Sequence, residues 1–178
     1  MRSNKAYSNV TFSKRVDHDA GRHRENLAPA EPASCRTCGA VYAGKRWRLA
    51  RRSVRPKSQA IDKRKSLHPA TLMLCPACKK RREDLPAGFL YISGKFLSVH
   101  REEVVRLLYK EAKRAFTDNP LARVMRTTSD KDGRIVVATT TEHLVKRLGH
   151  ALKKALDGEV RYDFSHENKF ARVYWNRD

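Results

Sequence analysis

The four cysteines of the chain occur as two pairs with the same spacing, Cys35–Cys38 and Cys75–Cys78. Two residues between cysteines let one tight turn direct both sulfurs at a single ion about 2.3 Å away, and a second such turn completes a tetrahedron. Gly39 follows the first pair and can adopt the positive φ of such a turn, while Pro76 stiffens the second turn. Because the two pairs use every cysteine, the sequence predicts one structural zinc ion bound by Cys35, Cys38, Cys75 and Cys78.

Two other uses of the cysteines compete with a zinc site. Disulfides need an oxidising compartment, and the start of the chain, Met1-Arg-Ser-Asn-Lys-Ala6, lacks the apolar run of a secretory signal. A redox dithiol would explain one pair and leave the other without a role. His68 and His100 could replace a cysteine as ligand, but both are expected at the surface.

Charge is concentrated around the cysteines. The formal net charge is +20, far beyond what solubility requires, and such an excess indicates a polyanionic partner. From Arg36 to Arg82 there are 15 Lys or Arg residues against a single acid, Asp62. A zinc ion with four thiolates carries a formal charge of about −2, which needs only a few of these cations. The remainder are expected to contact RNA phosphates, with Trp47 either stacking on a base or packing as core; the candidate nucleic-acid-binding residues are Arg46, Trp47, Arg48, Arg51, Arg52, Arg55, Lys57, Lys63, Arg64, Lys65, Lys79, Lys80, Arg81 and Arg82.

The chain is predicted to be an α+β protein with three parts. Residues 1–34 have few apolar anchors and are expected to form a flexible tail. Residues 35–88 form the zinc module, a ribbon or treble-clef-like unit with a basic insertion between the cysteine pairs. Residues 89–178 form a small α-β-β-α-β-β domain, in which helices start near His100 and Glu142 and bury Leu108 and Leu148.

Two hairpins are predicted in this second domain. Asp130-Lys-Asp-Gly133 joins the first pair of strands and His166-Glu-Asn168 joins the second. Thr139 and Glu142 have the spacing of a helix-capping box. The outward face of the sheet is expected to carry Arg161, Lys169, Arg172 and Tyr174, which is either an RNA-binding surface or an ordinary solvated one.

Catalysis has little support in the sequence. Glycine-rich phosphate loops and the common nucleophile and zinc-protease motifs are missing. Four cysteine ligands would leave no coordination position for a metal-bound water. The sequence therefore predicts a protein that is not an enzyme, has no small-molecule substrate and, lacking about 20 consecutive apolar residues, is cytoplasmic with no membrane partner.

The motifs resemble those of two protein families. The cysteine pairs and the rough element order look like the zinc-bearing front of the archaeal and eukaryotic large-subunit (60S) export adaptor family, whose members bind ribosomal subunits. Most of residues 35–178 also resemble small bacterial zinc-knuckle proteins of unassigned function, which share a helix start like Thr139-Thr-Thr-Glu-His-Leu144 and an ending like Phe170-Ala-Arg-Val-Tyr-Trp175. These likenesses imply contact with the ribosome or ribosomal RNA.

The function expected from the sequence is that of a zinc-binding, ribosome-associated protein that contacts rRNA through its basic module, with a role in stress or ribosome hibernation. A DNA-binding transcriptional regulator and a zinc-scaffolded protein-interaction adaptor are the alternatives. A steep dependence of binding on salt would favour nucleic acid over an acidic protein partner.

Overall fold

The computed structural model describes residues 31–49, 71–165 and 169–178 of the chain. Within these ranges there are nine strands and three helices arranged as two sheets, in agreement with the α+β prediction. The zinc-module elements are β1 (Ala33–Cys35), β2 (Val41–Ala43), β3 (Arg46–Arg48), β4 (Thr71–Met73) and α1 (Pro76–Arg82). The elements that follow are β5 (Gly88–Ser93), α2 (Lys95–Asp118), β6 (Val124–Ser129), β7 (Ile135–Thr139), α3 (Glu142–Leu156), β8 (Glu159–Ser165) and β9 (Phe170–Asn176).

The small sheet brings the two cysteine pairs together. Its strand order is β3-β2-β1-β4, and β1 runs parallel to β4 with Cys35 opposite Met73. Parallel strands end at the same edge of a sheet, so the turn after β1 and the turn after β4 are neighbours. Cys35 and Cys75 consequently lie side by side although 40 positions separate them in the sequence.

The module includes residues before the predicted boundary at residue 35. Strand β1 starts at Ala33, which is fully buried. The carboxylate of Glu31 accepts hydrogen bonds from the backbone N–H groups of Gly44 (3.0 Å) and Lys45 (2.7 Å) in the β2–β3 turn. Residues 31–34 therefore belong to the module.

The larger sheet has the order β6-β7-β5-β9-β8, with β5 at its centre. Strand β5 pairs antiparallel with β7 and parallel with β9. The predicted α-β-β-α-β-β order lacked this strand, so the observed order is β-α-β-β-α-β-β. The strand pairs of both predicted hairpins are present, since β6 pairs antiparallel with β7 and β8 with β9. The predicted turn at His166-Glu-Asn168 lies outside the described residues.

Helices α2 and α3 cover one face of the larger sheet. Leu108 of α2 and Leu148 of α3 are buried, as predicted. They share a hydrophobic core with Leu90 and Ile92 of β5 and Trp175 of β9. This core supports the sheet independently of the cysteines.

The starts of the two long helices differ from the prediction. Helix α2 begins at Lys95, and His100, the expected start, is a kink inside it (φ −108°, ψ 25°). Gly94 precedes the helix with φ +112°, and a Cβ atom there would lie 1.9 Å from the carbonyl oxygen of Arg177. Only glycine fits this position, so a glycine rather than a capping side chain sets the start of α2.

The predicted capping box at the start of α3 is wrong, because the N-cap lies two residues later and Leu144 at the third helical position cannot bond back to it. Thr141 is the N-cap, and its hydroxyl accepts a hydrogen bond from the backbone N–H of Leu144 (3.3 Å). Thr139 is fully buried and donates instead to the carbonyl oxygen of Thr141 (2.9 Å). Three consecutive threonines offer equivalent capping side chains, and strand β7 retains the first of them.

Helices long and apolar enough to cross a lipid bilayer are not found in the parts of the chain that the structure describes.

Candidate metal centre

The four cysteine sulfurs converge at one point at the edge of the small sheet. All four Sγ atoms lie within 4.8 Å of one another, and those of Cys38 and Cys75 are 3.7 Å apart. A tetrahedral thiolate site with metal–sulfur bonds of about 2.3 Å has sulfur–sulfur distances of about 3.8 Å. The cysteines form no disulfide. Their arrangement could therefore hold one metal ion.

Backbone N–H groups orient the sulfurs. The N–H of Cys75 donates to the sulfur of Cys35 (3.3 Å), and the N–H of Cys78 donates to the sulfur of Cys75 (3.4 Å). Cys75 is the N-cap of α1, and Pro76 occupies the first helical position, where a missing N–H leaves no partner unsatisfied. The second cysteine pair is thus positioned by the start of a helix.

Burial and hydrogen bonding act differently on the thiols. Burial raises the pKa of Cys75, because a lone thiolate is costly away from water, and burial also raises the pKa of Cys78. At Cys35 burial opposes ionisation too, but N–H donors of Cys75, Thr37 and Cys38 outweigh it and lower the pKa to about 6. Since the thiols of Cys75 and Cys78 resist ionisation on their own, a cation at the centre would stabilise their thiolate forms.

A cation from the second domain lies beside the cysteines. The Nη1 atom of Arg123 is 3.8 Å from the sulfur of Cys78, and its Nε donates to the carbonyl oxygen of Pro120 (2.7 Å). Its Nη2 atom is buried and has no hydrogen-bond partner within the described ranges. The positive charge of this partly buried guanidinium is compensated when the sulfurs carry negative charge, as they do around a metal ion. The position of Arg123 therefore fits a metal ion bound by the four cysteine thiolates.

Two further contacts join the cysteines to the second domain. Leu121 packs against the buried cysteines. The ammonium of Lys80 in α1 donates to the carbonyl oxygen of Thr140 (3.0 Å), and burial lowers the pKa of Lys80. Sequence reasoning did not identify Leu121, Arg123 or Thr140, because nothing in the sequence links them to cysteines more than 40 positions away.

The predicted nucleic-acid-binding cations divide into three groups. Arg46 and Arg48 in β3 and Arg81 and Arg82 in α1 are exposed, whereas Lys79 and Lys80 are half-buried. The remaining predicted cations, Arg51, Arg52, Arg55, Lys57, Lys63, Arg64 and Lys65, lie outside the described residues, as does His68.

Trp47 faces the cysteines. Its side chain alternates with Arg46 and Arg48 along β3 and points to the opposite face, where it packs against the buried cysteines. Its ring lies 5.4 Å from that of Tyr42, tilted by 50°. This is the core position that the sequence offered as the alternative to base stacking.

Replacing Arg123 by Gln is expected to weaken metal binding by at least about tenfold, because groups outside the ligand set that orient or neutralise ligands typically contribute this much. Competition with a chromophoric chelator measures the affinity. Arg126→Gln is the matched control, since Arg126 is exposed and pairs with Asp84 away from the sulfurs. Equal affinities in the two variants would show that Arg123 does not support the centre.

Comparison with known proteins adds no relative to this picture: the chain matches no protein-family model, no curated protein and no solved structure.

Proposed function

We propose that the protein binds one structural Zn²⁺ ion and uses the cationic surface built around it to bind RNA. The observation that carries this proposal is a set of four exposed arginines, Arg46, Arg48, Arg81 and Arg82, which form no ion pair with the acids in the described part of the chain. They are called the module arginines below.

Zinc is the metal that best suits this donor set. Four thiolates favour Zn²⁺ among the common divalent ions, and the tetrahedral arrangement they form is typical of structural zinc. Three of the four cysteines are buried, so the protein itself would fill every coordination position. Such an ion supports the fold and leaves no site for a bound water.

Some cations of the second domain are neutralised by ion pairs, unlike the module arginines. The paired arginines lie against carboxylates of the same domain, which reduces the charge available to a partner. Examples are Arg134 with Asp132 (2.6 Å) and Arg147 with Asp118 (2.6 Å). Exposed arginines without an ion pair among the described residues also occur in the second domain, at Arg101, Arg106 and Arg161, but they lie among paired ones, whereas all four module arginines are unpaired.

Phosphate is the ligand that such arginines suit best. Guanidinium groups donate hydrogen bonds in a planar fork that matches the spacing of phosphate oxygens. A bound polyanion also reduces the electrostatic self-repulsion of a protein with a net charge of +20. The two long helices bury one face each against the sheet, and α1 has only seven residues. A DNA major groove is normally read by a projecting recognition helix. Because none of these helices projects in that way, RNA is the better candidate partner.

Ribosomal RNA is the specific partner we propose. The resemblance to proteins that bind ribosomal subunits directs the proposal there, and a role in stress or ribosome hibernation extends it. Sedimentation of the tagged protein with ribosomes, with and without nuclease treatment, tests this step. Co-sedimentation that survives nuclease would indicate a protein partner instead.

The module arginines are expected to contribute directly to RNA binding. Replacing all four by Gln should weaken binding of a single-stranded RNA strongly and reduce the steepness of the salt dependence, since each lost phosphate contact removes about 0.7 from the slope of log K against log salt. Fluorescence anisotropy at several salt concentrations measures both quantities. Metal content measured in parallel shows whether the module is intact.

A charge-matched variant is the control for this experiment. Replacing Lys110, Arg114, Arg134 and Lys153 by Gln removes the same number of charges from exposed positions of the second domain. If this control loses as much affinity as the module variant, the binding is a general charge effect and the proposed surface is wrong.

The basic segment between β4 and β3 is tested by a second variant. Neutralising Arg51, Arg52, Lys63, Arg64 and Lys65 together is expected to weaken RNA or ribosome binding while leaving the fold intact. Wild-type binding by this variant at matched ionic strength would remove these five residues from the RNA-binding surface.

A further inference from the structure

The larger sheet has an aromatic face on the side away from its helices. Residues 90 and 92 of β5 and 171, 173 and 175 of β9 point into the core under α2 and α3. The alternating residues point the other way. Phe89 and Tyr91 of β5 and Phe170 and Tyr174 of β9 therefore lie on the opposite face, and each remains partly exposed. We call these four side chains the aromatic cluster.

The rings of the aromatic cluster are in mutual contact. Tyr91 lies opposite Tyr174 in the parallel register of β5 and β9, and their rings stack with centroids 4.9 Å apart and an angle of 11°. The ring of Phe89 lies 6.1 Å from that of Tyr91 and 5.7 Å from that of Phe170. The four rings thus form one continuous apolar surface across the two central strands.

Arginines border this surface. The guanidinium of Arg161 in β8 lies 4.7 Å from the ring centre of Tyr174, and that of Arg172 lies 5.0 Å from the ring centre of Phe170. Arg172 also faces Asp163 at 3.7 Å, whereas Arg161 has no ion-pair partner among the residues the structure describes. Lys169, exposed, precedes Phe170. These are the cations that the sequence placed on the outward face of the sheet.

The aromatic cluster lies outside the buried core of the domain. The core of the domain is complete on the helix side, where Leu90, Val173 and Trp175 are fully buried. Cross-strand aromatic pairs do stabilise sheets. On a strand face that is in contact with water, however, polar and β-branched residues expose less apolar area than aromatic residues do. Four rings and two guanidinium groups, on a face that neither helix α2 nor helix α3 covers, instead have the composition of a surface that holds unstacked bases.

We propose that the aromatic cluster binds single-stranded RNA by stacking about two bases on its rings, with Arg161 and Arg172 contacting the adjoining phosphates. This inference rests on the proposed RNA-binding function and names the form of RNA. The positive charge of the protein favours a polyanion over an apolar protein segment. A duplex keeps its base faces stacked inside the helix, so only unpaired nucleotides can use these rings.

The test replaces the two central tyrosines while keeping an apolar surface. Tyr91→Leu combined with Tyr174→Leu is expected to lower the affinity for a 12-nucleotide oligouridylate by about tenfold or more, with the affinity for a blunt-ended RNA duplex unchanged. The slope of log K against log salt should stay near the wild-type value, because no phosphate contact is removed. Anisotropy of fluorescein-labelled RNAs measures these quantities on the full-length, zinc-loaded protein.

A matched control is available on the other face of β8. Tyr162 and Phe164 are each 39% exposed, their rings are 6.0 Å apart, and Lys146 lies 4.3 Å from the ring centre of Phe164. Tyr162→Leu combined with Phe164→Leu therefore removes a similar aromatic and cationic patch from the helix side. This control is expected to bind oligouridylate as the wild type does.

A conservative variant separates stacking from folding. Tyr91→Phe combined with Tyr174→Phe keeps the rings and should retain wild-type affinity. If the double Leu variant fails to fold, the Tyr91→Leu single variant is used in its place. Unchanged oligouridylate binding by the Leu variants, equal loss in the β8 control, or equal loss of duplex binding would each overturn the proposal.

The two RNA-binding surfaces can fail separately. If the module arginine variant binds RNA normally while the Tyr91 and Tyr174 variant does not, the sheet alone binds RNA and the proposed function is wrong in its location. If the module variant loses binding and the tyrosine variant keeps it, the zinc module is supported and the aromatic cluster is not. Capture of a protein in place of RNA, abolished by the Leu variants, would also contradict the inference.

Discussion

Chelation of the metal is expected to unfold the zinc module and leave the second domain folded. The module has strands of only three residues, and its buried side chains are mainly small residues and the cysteines themselves. So small a core cannot offset the entropy that is lost when the chain becomes ordered. Metal binding and folding are therefore one process, and the apparent free energy of zinc binding is about 10–16 kcal/mol in zinc-finger peptides. Hydrogen exchange should show loss of protection in residues 71–82 and retention in residues 144–156.

A ligand substitution should reproduce the effect of the chelator. Cys78→Ser is expected to abolish stoichiometric zinc in native mass spectrometry, while Thr37→Ala, inside the first cysteine turn but without a ligand, should retain one zinc per chain. Full protection of residues 71–82 after chelation would show that the module folds without metal. Zinc readdition should restore protection in the wild type, which excludes damage by the chelator.

The segment from Asn119 to Arg123 is expected to respond to chelation as well, although it belongs to the second domain. Leu121 packs against the cysteines, and Arg123 reaches the sulfur of Cys78. This segment is also held by Thr140, whose hydroxyl donates to the carbonyl oxygen of Leu121 and accepts from the N–H of Arg123. The hydrogen bonds with Thr140 therefore survive loss of the metal. We expect the hydrogen-exchange protection of this segment to fall by less than that of residues 71–82.

The metal centre could be predicted from the sequence because its ligands come in local pairs. A Cys-x-x-Cys turn fixes the relative position of two sulfurs within four residues, so only the meeting of two such turns depends on the fold. Arg123 could not be predicted, because its contact with Cys78 depends on how the two domains pack.

Strand β5 shows where pattern reasoning failed. Gly88-Phe-Leu-Tyr-Ile-Ser93 is a short apolar run between Pro86 and Gly94, and such runs fit a strand or a buried turn equally well. Its partners β7 and β9 lie roughly 45 and 80 positions further along the chain, so local sequence carries no sign of the pairing. Only one member of the aromatic cluster was predicted on the outward face, Tyr174, whereas Phe89, Tyr91 and Phe170 were not.

Helix α3 was predicted correctly because its apolar period is strong. Leu144, Leu148 and Leu152 recur every four residues, and all three are fully buried. The next residue after Leu148 is Gly149, where a Cβ atom would lie 2.5 Å from Cγ1 of Val173. The helix backbone therefore sits directly against β9 and has little room to move closer.

Replacing Leu148 by Ala is expected to lower the free energy of unfolding by about 2–5 kcal/mol, the range found when a buried leucine is truncated. The close approach at Gly149 favours the upper part of that range, because a helix already in contact with the sheet cannot collapse into the cavity left behind. Urea denaturation of the zinc-saturated protein, followed by circular dichroism, measures the change. His150→Ala, two residues on and exposed, is the control and should change stability by less than about 0.5 kcal/mol. Equal stability of the two variants would mean that the assigned buried face of α3 is wrong, and with it the conclusion that the helices leave the aromatic cluster uncovered.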